Sequence, residues 1–447
     1  MREALREDSS RLMRRRLDGY FEFRQLGTNW RTEILAGFTT FLTMAYIIFV
    51  NPSILHDAGM PHTAVVAATC LASAFGSFLM GAWARYPIAL APGMGLNAYF
   101  TYAVVRGMNV PWEVALGAVF LSGLLFLMLT FAGIRELILY SIPAELYAAV
   151  AVGIGLFIAF IGLSNAGIVV ANPSTKVALG DLRQPTTALA LFGLLLTAAL
   201  MARRVRAAIL IGILATTFAG ALLGLVRWEP RTYSWGEITA TAFRLDIAGA
   251  LQPDVLEIVL VFLFVTLFDD IGTLVAVGKK ANLFDRDNRI PRVNRILATN
   301  ASATIAGALA GTSTVVSYIE SAAGVVAGGR TGIPAIVCGI LFVLALFVAP
   351  LVGAVPSAAT APALILVGSL MISHAAEIDW LDAGVAIPAF LTMITIPLTF
   401  SIANGLAFGF TLHTLLRVLA GQWRSVPWLV YLMTVLFLAR FLFLHGA

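Results

Sequence analysis

Charge is what this 447-residue chain has least of: Asp, Glu, Lys and Arg make up 12% of it, against about 25% in an ordinary soluble domain. Soluble domains therefore have nowhere to sit. Cysteine is almost absent, and Cys70 and Cys338 both fall within apolar stretches, so they read as small buried side chains rather than a disulfide or a metal pair. The five histidines, His56, His62, His374, His413 and His445, show no H-x-x-x-H spacing, and no metal site is expected. Nucleotide-binding loops are missing too. Gly93-x-Gly95 has no strand-turn-helix of a βαβ unit around it, and Gly328-Gly329-Arg330-Thr331 is not a Walker sequence, which disfavours ATP-driven transport. The first 32 residues hold no apolar core of a cleaved signal peptide.

What is there is apolar: 60% of the residues, in stretches of about 17 to 24 that recur along the chain, near the length a helix needs to cross hydrocarbon. The protein reads as an all-α polytopic membrane protein. Spans are predicted at 33–53, 63–83, 88–105, 112–132, 143–163, 186–202 and 207–226, then at 255–277, 294–311, 313–328, 333–353, 359–373, 383–400 and 403–420. That gives fourteen transmembrane segments. With the N-terminus inside, the inner connections hold 22 of the 29 Lys and Arg residues, as the positive-inside rule requires. The basic arm, residues 1–32, is a cytoplasmic, topogenic and lipid-facing segment rather than a nucleic-acid site. Within 421–447 the last apolar stretch, 427–445, offers a fifteenth crossing or a helix lying along the membrane surface; the second is expected, because Arg440 and His445 sit poorly in hydrocarbon.

The polar stretch 227–254 divides the chain into two sets of seven, 33–226 and 255–420. Seven is odd, so the sets have opposite orientation, the inverted repeat typical of secondary transporters. The third span of each set is abnormal. Pro87, Pro92, Gly93 and Gly95 forbid a continuous helix in the first, and Thr312 to Ser317 is a β-prone run in the second, ahead of a helix starting near Tyr318. Irregular backbone at that depth must line a cavity, and matched broken segments point to a midplane binding site.

Ionisable residues in such segments are functional candidates, because charge in hydrocarbon is costly. Asp269, Asp270 and Glu320 qualify. Glu320 follows the strand-like run and opens a helix, where the positive end of the dipole favours its charge; the competing role is a plain helix-start carboxylate. Asp269 precedes Ile271-Gly272-Thr273 and suits both substrate contact and proton binding, while Asp270 points roughly 100° away around the helix and suits a structural role as well as a functional one. Asn97, after Gly95, can contact substrate or cap freed backbone. Thr43 and Tyr46, three apart on one face of segment 1, can complete the pocket or simply pack.

The stretches Glu33-Ile-Leu-Ala-Gly-Phe-Thr-Thr-Phe-Leu-Thr-Met-Ala-Tyr46, Ala91-Pro-Gly-Met-Gly-Leu-Asn-Ala-Tyr99, Gly162 to Val170, Leu267 to Leu274, Gly311 to Thr331 and Ile387-Pro-Ala-Phe-Leu391 come in an order that resembles one family. This is the nucleobase:cation symporter-2 group, in its AzgA-like branch of adenine, guanine and hypoxanthine permeases. The resemblance implies fourteen segments in two inverted repeats, with segments 1–4 and 8–11 as a core and segments 5–7 and 12–14 as a gate. It also implies short strands in segments 3 and 10 that meet at the site. By motif position the base-binding acids correspond to Asp269 and Glu320, with Asn97, Gly95, Ser317, Thr43 and Tyr46 around them and Asp270, Asn300 and Thr273 nearby. Asp270 stands where the family commonly has Thr, and Asn300 and Asn404 stand where it commonly has Asp.

The expected function is import of purine nucleobases across the cytoplasmic membrane by proton symport, Asp269 and Glu320 carrying the proton and core moving against gate. No cofactor is expected beyond that proton; the partners are a purine base and the lipid bilayer, with a homodimer left open. A sulfate-type anion carrier of similar fold is the alternative within transport, disfavoured by acids at the site, and a membrane-embedded enzyme using Asp269 and Asp270 as an acid-base pair is the alternative outside it.

Overall fold

The computed structural model describes residues 16–133, 143–226, 234–281, 290–348 and 352–443. The basic arm up to Arg15, Arg135, the stretch 282–289 with Arg286 and Arg289, and His445 lie outside the described residues. Segments 1 and 2 are Trp30–His56 and His62–Ala84, and segment 1 is interrupted at Ala45 and Tyr46, between the helices Trp30–Met44 and Ile47–His56. Segment 3 is strand β1 (Leu90–Pro92) followed by helix Met94–Ala98 and a wider turn, Tyr99–Val105. Segments 4 to 7 are Trp112–Phe131, Ala144–Asn165, Pro185–Ala202 and Ala208–Leu222. In the second repeat, segments 8 and 9 are Pro253–Ala281 and Val293–Ala310. Segment 10 is strand β4 (Val315–Ser317) with helix Ser321–Val326, and segment 11 is Ile333–Ala345. Segments 12 to 14 are Ser357–Met371, Ala383–Thr399 and Ile402–Leu419. Fourteen segments in two inverted repeats are thus present, the third of each repeat broken as its proline, glycine and β-branched residues demand.

The segments pack in two groups. Segments 1–4 and 8–11 pack chiefly on one another and segments 5–7 chiefly with 12–14, and one apolar core runs through both groups. Small residues set the spacing within each group: segment 5 meets segment 12 where Gly155 and Gly368 face each other, and Gly162 lies against the Ala361 carbonyl, the close approach that holds helices together without a hydrophobic driving force.

Strands β1 and β4 pair antiparallel, Leu90 with Ser317 and Pro92 with Val315. A two-stranded ribbon has two open edges, and unpaired N–H and C=O groups inside a bilayer are costly. Side chains of neighbouring segments close them. Ser77 of segment 2 accepts the Leu90 N–H (3.0 Å), Thr304 of segment 9 bonds both the N–H and the carbonyl of Val315 (3.2 and 2.9 Å), and Asp270 of segment 8 accepts the Ser317 N–H at 2.9 Å.

Four details differ from the sequence reading. The helix of segment 10 starts at Ser321, not near Tyr318, because the Tyr318 N–H extends the ladder to the Ala89 carbonyl (3.0 Å) and its hydroxyl bonds the Pro92 carbonyl (2.6 Å). A second hairpin, β2 (Val169–Asn172) with β3 (Lys176–Leu179), follows segment 5; Asn172 accepts the N–H groups of Ser174 and Thr175 and makes its turn. Part of the basic arm is docked rather than merely lipid-facing: Glu22 pairs with Arg85 (3.1 Å) and Arg292 (3.6 Å), and the Tyr20 hydroxyl bonds the Ala82 carbonyl. The C-terminal stretch forms a helix, Trp428–Phe443, that runs back beside segment 14 instead of lying across its end, with Thr434 against Thr414 (2.7 Å) and Phe437 against Phe410.

Candidate functional site

Where β1 and β4 end, a cavity of about 160 Å³ opens between the two groups of segments. From the first group, Gly93, Gly95, Ser317, Tyr318, Glu320, Asp269, Thr273 and Tyr46 line it; from the second come Tyr147 and Ile154 of segment 5 and Val367, Met371, His374 and Glu377 of segment 12 and its extension. The backbone irregularities explain who reaches it. Glu320 precedes the first turn of helix Ser321–Val326, so the end of the strand delivers its carboxyl to the opening. Tyr46 lies at the interruption of segment 1 and is fully buried, and its hydroxyl donates to Glu320 Oε1 at 2.5 Å. That bond fixes the carboxylate while leaving its second oxygen to the cavity.

Asp269 projects from the middle of segment 8, close enough to Gly93 that a Cβ there would lie 3.6 Å from Asp269 Oδ2. The preceding residue, Phe268, and Tyr147 form an edge-to-face pair, centroids 4.6 Å apart, on one wall, and the buried Tyr147 hydroxyl has no hydrogen-bond partner. Carboxylate acceptors, backbone groups at strand ends, an uncommitted phenol and aromatic faces make a receptor for a small, flat, polar-edged molecule. No lysine or arginine lines the cavity, so no cationic side chain there offsets Asp269 and Glu320 in favour of a bound anion.

Not every residue singled out from the sequence arrives at the wall. Asn97 is fully buried behind the strands, where its amide donates to Asn51 Oδ1 (2.5 Å) and its carbonyl oxygen accepts from the Ser313 hydroxyl; Asn51 in turn donates to Thr69 and Thr312. It ties segments 1, 2, 3 and 10 together instead of facing the cavity. Thr43 bonds the Thr40 carbonyl (2.7 Å) and approaches the Glu320 carbonyl (3.4 Å), supporting the backbone of the acid rather than lining the space. Asp270 and Asn300 both engage Ser317 from behind, Asp270 through the N–H and Asn300 through the hydroxyl (3.0 Å). Asn404 sits in the first turn of segment 14, its N–H on Ser401, away from the site.

The sequence reading missed Glu33. Fully buried at the start of segment 1, it accepts four bonds, from Thr28 Oγ1 (2.7 Å), the Arg330 N–H (3.0 Å), the Thr331 N–H (3.2 Å) and Thr331 Oγ1 (2.7 Å). Gly328-Gly329-Arg330-Thr331 is thus a loop folded around a carboxylate of its own chain. Gly328, at φ +107°, makes the turn that only glycine adopts readily. Tyr147, Tyr318, His374 and Glu377 were also missed. A tyrosine in an apolar helix gives no local sign of facing a cavity.

Paired half-membrane strands between two inverted seven-segment repeats, with carboxyls at their ends, define a membrane transporter, and solved structures have the same fold. The transmembrane domain of a cyanobacterium bicarbonate transporter, BicA, superposes with a TM-score of 0.65 at 16% identity, covering 84% of this chain and 97% of that one. The anion transporter SLC26A9 covers 91% of this chain with a TM-score of 0.63 at 10% identity. At such identities the likeness concerns the fold alone.

Sequence comparison is more specific. The permease family model matches residues 31–408. The guanine/hypoxanthine permease PbuG of Bacillus subtilis is 47% identical over 95% of this chain and 99% of its own length. The adenine permease AdeP of Escherichia coli is 42% identical over 96% and 97%. The chain belongs to this permease family, in the nucleobase:cation symporter-2 group and its AzgA-like branch. It is an integral membrane permease, not an enzyme.

Proposed function

We propose that the protein imports a purine base (hypoxanthine, guanine or adenine) with protons across the cytoplasmic membrane. The observation that carries this is the meeting of Asp269 and Glu320, one on a continuous helix and one at a strand end, on a cavity walled by Phe268 and Tyr147 and free of cationic side chains. A purine presents N–H donors on its edge and flat apolar faces. The carboxylates accept from the edge, and the aromatic pair covers a face. A proton on either acid neutralises the loaded core and lets it move, whereas a bare carboxylate makes that movement costly.

Alternating access is supported by the shape of the cavity. From the strand ends it extends past Tyr147 to His374 and Glu377, toward the end of the bundle where segment 1 begins. At the opposite end the groups touch: the Tyr102 hydroxyl donates to Asp57 Oδ2 (2.6 Å), Asn165 of segment 5 reaches that hydroxyl at 3.4 Å, and Ser53 lies 3.5 Å from Thr360 of segment 12. The basic residues at the N-terminal end argue that this end is cytoplasmic, so the form described is open inward and latched outward.

Uptake of labelled hypoxanthine, guanine and adenine by cells without purine permeases of their own tests the proposal. Uptake should fall as external pH rises and collapse with a protonophore. Persistence under protonophore with loss on sodium removal replaces the proton by sodium. Competition by sulfate and not by purines turns the reading to an anion carrier.

A further inference from the structure

Behind the cavity, on the far side of β4, Asp270 occupies a position that edge-capping alone does not explain. Its Oδ1 accepts the Ser317 N–H at 2.9 Å, while its Oδ2, equally buried, has no hydrogen-bond partner. Asn300 and the Ser317 hydroxyl lie near the carboxyl, but their well-formed bonds are to each other: Asn300 Nδ2 donates to Ser317 Oγ (3.0 Å), and that hydroxyl lies 3.2 Å from Asn300 Oδ1. The charged group that acts on Asp270 is Asp269 on its own helix; Glu320 and Tyr318, across the cavity wall, act on Asp269, and Tyr46 on Glu320. None of them is a cation. The ion pairs among the described residues join Glu22 to Arg85 and Arg292, and Asp382 to Arg417, and these cationic partners lie on other segments and loops. A buried carboxylate with one well-formed hydrogen bond, only neutral amide and hydroxyl groups otherwise beside it and no cation is disfavoured as an anion. Edge-capping needs only Oδ1, which accepts from Ser317 whether or not Oδ2 carries hydrogen.

We propose that Asp270 is a proton-binding residue of the transport cycle, holding the proton on Oδ2 without touching the substrate. The inference rests on the proton-symport reading above and adds to Asp269 and Glu320 a proton site away from the substrate. The proton arrives from solvent while the core faces one side, bonds to Oδ2, and leaves to solvent when the core faces the other; Asp270 alternates between carboxylic acid and carboxylate. What links this to the cavity is Ser317, which lines it: its N–H bonds a neutral acceptor in one state and a charged one in the other, and charge strengthens that bond. Strand β4, and Glu320 three residues beyond, therefore sense the proton.

The same geometry assigns Asn300 a part. Asp270 and Asn300 reach one residue, Ser317, from two helices; a carboxyl on either helix would therefore bear on the same strand end.

The test uses the full-length protein reconstituted in liposomes, with labelled hypoxanthine, guanine and adenine and an imposed pH gradient. Asp270→Asn keeps the acceptor oxygen for Ser317 but cannot ionise. It should bind purines within about threefold of the parent and lose at least about tenfold of the gradient-driven accumulation, and the proton uptake that accompanies purine binding, followed with a pH indicator in weak buffer, should fall. Adding Asn300→Asp to it should restore accumulation and proton uptake. Full accumulation by Asp270→Asn overturns the proposal, since a purely structural acceptor is preserved in that variant. Should the single variant fail to fold, the double one decides: accumulation like the parent supports the proposal, and purine binding without accumulation overturns it. A parent that binds no purine, or accumulates it without regard to the gradient, instead overturns the proton-symport reading on which this one rests.

Discussion

Glu320 is the residue on which substrate affinity should turn, and its surroundings set the size of the effect. Its Oε1 is committed to the Tyr46 hydroxyl at 2.5 Å, which leaves Oε2 for the ligand. In Glu320→Gln the amide oxygen stays with Tyr46, a donor, so the NH₂ group turns to the cavity, where it cannot accept from a purine N–H. The lost charge-assisted bond amounts to about 1.5 to 3 kcal/mol, or roughly tenfold to a hundredfold in Kd. Tyr46→Phe leaves the charge in place and removes only the bond that orients it, about 1 kcal/mol or roughly fivefold. Equilibrium binding of hypoxanthine, guanine and adenine to the purified variants, with melting curves to establish folding, measures both. The ordering matters as much as the size: a well-folded Glu320→Gln protein with unchanged Kd, or a larger loss in Tyr46→Phe, refutes the assignment of the carboxylate to the substrate.

Glu33→Gln replaces two accepting lone-pair sites by N–H facing N–H or O–H, at a cost of about 3 kcal/mol; thermal melting of the detergent-solubilised protein should drop markedly, and an unchanged melt counts against the four-bond account. A methyl at Gly95 would lie 2.3 Å from Ile154 Cγ2 across the two groups of segments, so Gly95→Ala should slow uptake about tenfold or more by overpacking, and pairing it with Ile154→Ala should recover most of the rate if the clash is the cause. Tyr102→Phe removes both bonds made by its hydroxyl at the latched end and should shift the population toward the outward-open form by about 1 kcal/mol. Labelling of a cysteine placed at Ser53 by a membrane-impermeant maleimide should then quicken about fivefold; an unaltered rate means that the contact is not a latch.

Much of this protein is dictated locally. The apolar runs fix the segments because a helix is the one open-ended structure that satisfies its own backbone in lipid, and Pro87, Pro92, Gly93 and Gly95 break segment 3 because ring closure and missing side chains act within a residue or two. An odd number of crossings per repeat already inverts the second copy. The acids on the wall, Asp269 and Glu320, are legible for the same reason: charge in a hydrocarbon segment requires an explanation wherever the chain goes next. What faces what is another matter. Asn97 and Ser317 are both polar residues beside a broken segment, yet one is locked behind the strands by Asn51 and Ser313 and the other lines the cavity. Asp269 and Asp270 are neighbours in sequence, and the turn of the helix puts them on different faces, but only the approach of β4 gives Asp270 its one donor. Glu33 and the loop at Gly328 lie almost three hundred residues apart and acquire their meaning from each other. Hydrogen-bond partners of that kind are set by how segments dock, over separations at which no periodicity or spacing in the chain carries a signal.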